Sequence, residues 1–258
     1  MAKSDDALVH AADFPLAMAL LTRLPIHVEA GHRAARAAWA YPLVGIVTAG
    51  LGALAGLTGL SLGLSAPLSA LVALVTQILA TGALHEDGLA DTADGIGGGW
   101  TRTRRLEIMK DSHIGTYGVL ALLCTGLARW TALAQLFEAG PAAAVAALIV
   151  AGVLSRAAMT VPMAALPHAR ESGLSHHVGR VTRHASGLAL ALGVAVAILL
   201  VGWTALAPLF WVVLSTLTLG AWARARIGGQ TGDILGATQQ LAEIAVLVSM
   251  AAATGSTG

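Results

Sequence analysis

Four of the chain's fourteen acidic residues fall within nine positions, in the string His85-Glu86-Asp87-Gly88-Leu89-Ala90-Asp91-Thr92-Ala93-Asp94-Gly95. On a helix Asp87, Asp91 and Asp94 stand at i, i+4 and i+7 and project from one face. Carboxylates so spaced repel one another and weaken the helix unless a cation sits between them. Oxygen donors without cysteine, and with histidine only at the edge, suit Mg²⁺ or Mn²⁺ rather than zinc. Mg²⁺ usually takes one or two carboxylates and fills its shell with water and substrate phosphate. Glu86, Asp87, Asp91 and Asp94 are therefore the candidate metal ligands, the plain alternative being an acid-rich helix end in solvent.

Basic residues follow at once: Arg102, Arg104, Arg105 and Lys110, then Asp111-Ser112-His113-Ile114-Gly115-Thr116-Tyr117-Gly118. Guanidinium and ammonium groups opposite an acid-bound metal can share the oxygens of a phosphorylated substrate, although membrane topology alone would also collect cations here. Topology requires neither Asp111 nor His113. Asp111 could add a ligand, and His113 or His85 could accept a proton or touch phosphate. The connection from Arg224 to Gln240 has the same character, with four glycines that let backbone approach a phosphate, and with Gln230 and Asp233. It would form the second wall of one site. Between the walls, Gly95 to Trp100 is expected to be a flexible turn, since glycine runs carry high backbone entropy.

Two further cations lie inside apolar runs. Arg129 and Arg156 sit roughly 18 Å and 13 Å from the cytosolic ends of their helices at 1.5 Å per residue. A charge at such depth costs at least about 2.5–3.5 kcal/mol, so each should face the bundle interior with an anionic partner. That partner is a substrate phosphate, one of the clustered carboxylates, or Glu243 in the last helix.

The elements that position these groups are membrane helices. Of 258 residues, 56% are hydrophobic and 11% charged, with a mean hydropathy of +0.75, whereas a soluble domain is roughly 25% charged. The fold class is all-α, a single polytopic membrane domain over residues 1–258. Seven apolar stretches are expected to span: 37–60, 67–84, 117–137, 141–165, 187–205, 208–223 and 238–253. The second is expected to run on unbroken into the acidic string. Residues 7–24 carry Phe14, Ala17, Met18 and Leu21 on one face and end at Thr22-Arg23-Leu24-Pro25 before they could span, so they form an interfacial helix. Thirteen of the fifteen Lys and Arg residues, Lys3 included, fall in the amino terminus and alternate connections, the other two being Arg129 and Arg156. The connections between carry none, which puts the amino terminus and the polar segments 85–116, 166–186 and 224–237 in the cytosol. Trp39, Tyr41, Tyr117, Trp203 and Trp222 fall near helix ends, as an aromatic belt would. The lone Cys124 is expected to be a small buried hydrophobe, and the acidic start MAKSDDALVH does not resemble a cleaved signal peptide. A net charge of +1 gives no case for nucleic acid. Lipid is the surrounding partner, and the oligomeric state stays open, a homo-oligomer included.

Taken together, the acidic string 85–95, Thr22-Arg23-Leu24-Pro25, the string Lys110 to Gly118 and Gly228-Gly-Gln-Thr-Gly-Asp-Ile-Leu-Gly-Ala-Thr-Gln240 resemble the cobalamin (5′-phosphate) synthase, or adenosylcobinamide-GDP ribazoletransferase, family. The likeness runs in order from about residue 10 to 250. It implies a multi-pass, Mg²⁺-dependent enzyme of the bacterial inner membrane with its active site facing the cytosol. Such an enzyme joins adenosylcobinamide-GDP to α-ribazole or its 5′-phosphate, giving adenosylcobalamin or its 5′-phosphate and GMP in the last steps of cobalamin biosynthesis. The resemblance further implies Mg²⁺ on Asp87, Asp91 and Glu86, and Asp94 or His113 as proton acceptor. Arg102, Arg105, Arg129 or Arg156 would neutralise the leaving GMP, and Arg23, Lys110, Gln230 and Asp233 in the matching strings would bind substrate. Two other families share parts of this pattern. CDP-alcohol phosphotransferases carry Asp-Gly-x-x-Ala-Arg, whereas here Asp91 follows Ala90. A secondary transporter would carry its ionisable groups near the midplane on broken, repeated helices, whereas these acids crowd helix ends.

Overall fold

The computed structural model describes residues 7–28 and 33–255. Lys3, counted in the topology argument, lies outside the described residues. All secondary structure among the described residues is helical, apart from one isolated bridge between His168 and Gln230.

Each of the seven apolar stretches has most of its length in one helix. They form α2 (Tyr41–Ser61), α3 (Ala66–Thr81), α6 (Thr116–Ala139), α7 (Pro141–Ala165), α9 (Arg183–Val201), α10 (Leu206–Ile227) and α11 (Gly232–Gly255). The span count differs from seven: five helical stretches are long and apolar enough to cross a membrane, and six with one bent pair. Two features cause the difference. At 16 residues α3 is too short to cross alone. Residues 183–227 form one helical run of 45 residues, which would extend about 67 Å if straight. Gly202, at φ 61°, breaks that run into two arms, α9 packing on α7 and α10 chiefly on α11.

α7 is the central post, flanked by α2, α9 and α11. Small residues permit the approach that van der Waals packing in a membrane needs. At the α2/α7 crossing Gly45 and Gly152 lie so close that a Cβ on either would strike the other's backbone. The short α1 (Asp13–Leu21) packs Ala17, Met18 and Leu21 inward, as its periodicity predicts, and is tied down by Asp13, which accepts from Arg33 and from the Trp39 indole.

Four local expectations are corrected. The second membrane helix does not run into the acidic string: the chain bends by 86° between α3 and α4 (Leu84–Gly98). Gly82 and Ala83 both take left-handed backbone there, at φ 65° and 57°, and Ala83 bears the Cβ strain that glycine avoids. The glycine run is not a loose turn, because α4 continues through Gly98. Its glycines serve close approach, Gly95 lying on Met109 and the Arg105 carbonyl and Gly97 on the Tyr117 ring. Cys124 is exposed on the outer face of α6 rather than buried, and Tyr41, expected in the belt, is 1% exposed.

Candidate active site

α4 lies across the end of the bundle where the basic connections converge, and it is clamped on its inner side. Gly88 meets Asp233 and Gly236 of α11 backbone to backbone. Beside that contact Glu86 turns into the bundle, where it accepts from Arg129 at 2.9 Å and Gln240 at 3.1 Å. The other arm of Arg129 pairs with Glu243 at 2.7 Å, and Gln239 donates to both Glu243 and Ser155. Arg156 is buried within the same cluster and donates to the Gly152 carbonyl at 3.4 Å. Two carboxylates and two guanidinium groups thus balance in an apolar interior, which is how such charges are tolerated there.

The outer side of α4 carries Asp87, exposed, and Asp91, half-buried, and neither side chain makes a hydrogen bond or close ion pair with the described residues. Asp233, at the start of α11, faces them and repels Asp91 most strongly after Asp91's own burial. Asp233 in turn pairs with Arg170 at 3.2 Å. A cleft of 340 Å³ runs from Asp87 and Asp91 to Lys110, Asp111, Ser112 and His113 in the loop after α5 (Arg102–Ile108). Asp111 and His113 bond each other at 2.7 Å, and that bond holds the Asp111 carboxyl below its usual range.

Other expected residues take positioning roles. Asp94 is buried and accepts from the backbone N–H groups of Gly115 and Gly118 at 2.7 and 2.9 Å, capping α6. Arg102 donates to the carbonyls of Ile227 and Ala169, and Arg105 to that of Arg226, so both tie α5 to the neighbouring connections. Gln230 is fully buried, accepting from Ser175 at 2.5 Å and bonded to His168 at 2.9 Å. It locks the loop bearing Arg170 against the start of α11. Arg23 is exposed and covers Gly82 at the bend. His85 is 2% exposed on the inner side of α4. The expected set of four acidic ligands is therefore split, with Glu86 paired inward and Asp94 used as a cap. Asp233 joins Asp87 and Asp91 in their place. Arg170, in the connection before α8 (Leu174–Val178), was counted in the sequence only as a topological charge. Its pairing across some 60 residues left no local signal.

Among the described residues no group of three or more acidic, His or Cys side chains closes round a metal position. Two carboxylates free of partners beside an open cleft lined by Lys110 nevertheless fit Mg²⁺, which keeps waters and completes its shell with phosphate.

A helical membrane bundle that presents free carboxylates and cations at one end, in adjoining cavities, has the form of a membrane enzyme for phosphorylated substrates. The family model described as cobalamin-5-phosphate synthase matches residues 13–251, and the chain belongs to that family. A Bradyrhizobium diazoefficiens protein named adenosylcobinamide-GDP ribazoletransferase is 46% identical over 93% of this chain and 94% of its own length. A Mesorhizobium japonicum protein of the same name is 41% identical over 95% and 94%. No solved structure matches.

Proposed function

We propose that the chain is an adenosylcobinamide-GDP ribazoletransferase of the bacterial inner membrane, with the α4 cleft facing the cytosol. A hydroxyl of α-ribazole, or of its 5′-phosphate, attacks the cobinamide-side phosphorus of adenosylcobinamide-GDP. The new ester bond forms as the diphosphate bridge breaks, GMP leaves with the bridging oxygen, and the hydroxyl proton passes to a base. The observation that carries this is Asp87, which lines both the polar cleft with Lys110 and His113 and an apolar cavity on the other side of α4. One carboxylate at the junction of a charged chamber and a greasy one suits a reaction that joins a diphosphate donor to an aromatic nucleoside. Family membership and the relatives' names support the same activity.

Asp87 and Asp91, with Asp233 beside them, would hold Mg²⁺, which when bound supplies positive charge to the diphosphate oxygens. Lys110 on the opposite wall adds a cation to that phosphate. His113, whose ring is oriented by its bond to Asp111, is the side chain of the cleft placed to take up the hydroxyl proton. The buried Arg129 pairing with Glu86 fixes the roll of α4 and so the direction of Asp87. The test is GMP release by the purified protein from adenosylcobinamide-GDP and α-ribazole. Activity should be abolished by a chelator and restored by Mg²⁺, and GMP release unaffected by chelation would overturn the metal assignment.

A further inference from the structure

Eleven buried side-chain polar atoms lack a hydrogen-bond partner among the described residues, and three of them belong to residues that line one cavity: Tyr41 Oη, His85 Nε2 and Arg170 Nη1. The cavity, of 210 Å³, lies between α1, α2, α4, α7, α8 and the start of α11, with Leu21, Met159, Met163, Val178 and Leu235 among its walls. Buried donors and acceptors are ordinarily satisfied, and each orphan is a penalty that a partner would remove. Apolar walls with a few convergent polar groups are the signature of a small-molecule site. Tyr41 sharpens the case. It was expected at the membrane surface, yet its ring is buried and its hydroxyl spends its burial on no protein partner.

We infer that this cavity is the acceptor subsite, holding the base of α-ribazole, an inference that rests on the transferase function proposed above. The base is an uncharged, methylated benzimidazole whose glycosylated ring leaves one unsubstituted nitrogen, an acceptor only. The orphaned Tyr41 hydroxyl, set among Leu21, Met159, Met163 and Leu235, can donate to that nitrogen while the methylated ring lies against the apolar walls. Arg170 is held by Asp233 through one arm, with its other terminal nitrogen free. It can donate to an oxygen on the ribose side of the ligand. Asp87 closes the cavity toward the polar cleft, so an acceptor seated base-inward would turn its ribose to the diphosphate.

Tyr41→Phe removes only the orphaned hydroxyl and Met163→Trp fills the cavity; both are compared with wild type as full-length protein in detergent. The measurements are α-ribazole binding by equilibrium dialysis, KM for each substrate in GMP release, and the melting temperature. For Tyr41→Phe the melting temperature should hold or rise, because no bond is lost. Its Kd and KM for α-ribazole should rise about tenfold, the size of one good hydrogen bond, with KM for adenosylcobinamide-GDP unchanged. Met163→Trp should abolish α-ribazole binding. Wild-type α-ribazole affinity in both variants, or a change confined to the GDP substrate, overturns the assignment. A wild type that binds α-ribazole through Tyr41 but releases no GMP would instead overturn the transferase reading and leave the subsite standing.

Discussion

Gly88 of α4 and Gly236 of α11 lie backbone against backbone: a Cβ on Gly88 would come within 3.2 Å of the Gly236 Cα and 2.9 Å of the Asp233 carbonyl oxygen. The atoms it would meet are main chain, which cannot swing aside. The approach sets the spacing between the carboxylates of Asp87 and Asp91 on one helix and Asp233 on the other.

Gly88→Ala should therefore lower stability by about 1–3 kcal/mol, the usual cost of overpacking, and cut turnover more than it raises KM. Gly220→Ala in α10 is the control. A Cβ there meets nothing within 4 Å, so alanine should stabilise that helix by roughly 0.5–1 kcal/mol. Thermal unfolding and initial-rate kinetics on both variants check the pair, and equal behaviour would remove the α4/α11 contact from the account of the site.

Asp91 and Asp94 should part company, although the sequence sets them on one face. Asp91→Asn relieves repulsion from Asp233 and Asp87, so the metal-free protein should melt higher while activity demands more Mg²⁺. Asp94→Ala strips the cap from Gly115 and Gly118 and should cost about 1–2 kcal/mol of stability. The Mg²⁺ requirement of the protein that remains folded should be unchanged. Melting temperatures in chelator and Mg²⁺ titrations of rate separate the two roles.

What the sequence made legible is what is local or periodic. The apolar stretches became helices, and the Phe14, Ala17, Met18, Leu21 face of α1 packs as its spacing requires. The acidic string marks the helix that bears the site. The misjudged parts depend on contacts distant in the chain. Nothing near residue 86 says that Glu86 turns inward, because its partners are Arg129 and Gln240. Gly95, Gly97 and Gly98 read as a breaker when taken alone, yet they are helical, with Met109 and Arg105 packed on Gly95 and Tyr117 on Gly97. The bend at Gly82 and Ala83 was hidden for the opposite reason: an alanine in left-handed backbone is held by its surroundings, and alanine otherwise favours helix. Arg170 acquires its place through distant contacts, its own pair with Asp233 and the Gln230 bonds to Ser175 and His168.

The docking of α1 should depend on acid pH. Burial raises the Asp13 carboxyl, but bonds from Arg33, Trp39 and the His10 backbone outweigh it, so its pKa falls below the ordinary 3.8. A carboxyl whose pKa is depressed on folding adds stability that is present above the unfolded value and is lost as pH falls through the folded one. Wild type should thus lose stability progressively below about pH 4. Asp13→Asn should melt lower than wild type at neutral pH, with the gap closing in acid. Melting curves of both proteins from pH 7 to pH 3 test this, and a constant gap would show that the Asp13 charge contributes nothing.

Arg129 separates a positioning role from substrate contact. Its guanidinium spans Glu86 on α4 and Glu243 on α11, and lysine keeps the charge but cannot bridge two carboxylates with one point. Arg129→Met leaves both acids buried and unpaired, which costs on the order of 3–5 kcal/mol where a buried pair is broken. Arg129→Lys should cost less, and restoring balance with Glu243→Gln in the Arg129→Met background should recover part of the loss. Because the effect reaches the cleft through the roll of α4, kcat and the Mg²⁺ requirement should worsen together. The ratio of affinities for adenosylcobinamide-GDP and for a cobinamide lacking the diphosphate should stay at the wild-type value. A normal melting temperature with a selective loss for the GDP-bearing substrate would instead set phosphate directly on Arg129. Among the described residues Arg156 makes no ion pair with a carboxylate and bonds the Gly152 carbonyl at 3.4 Å, so Arg156→Met leaves no described acid stripped of a direct partner. It should destabilise less than Arg129→Met, and the two melting temperatures give that comparison directly.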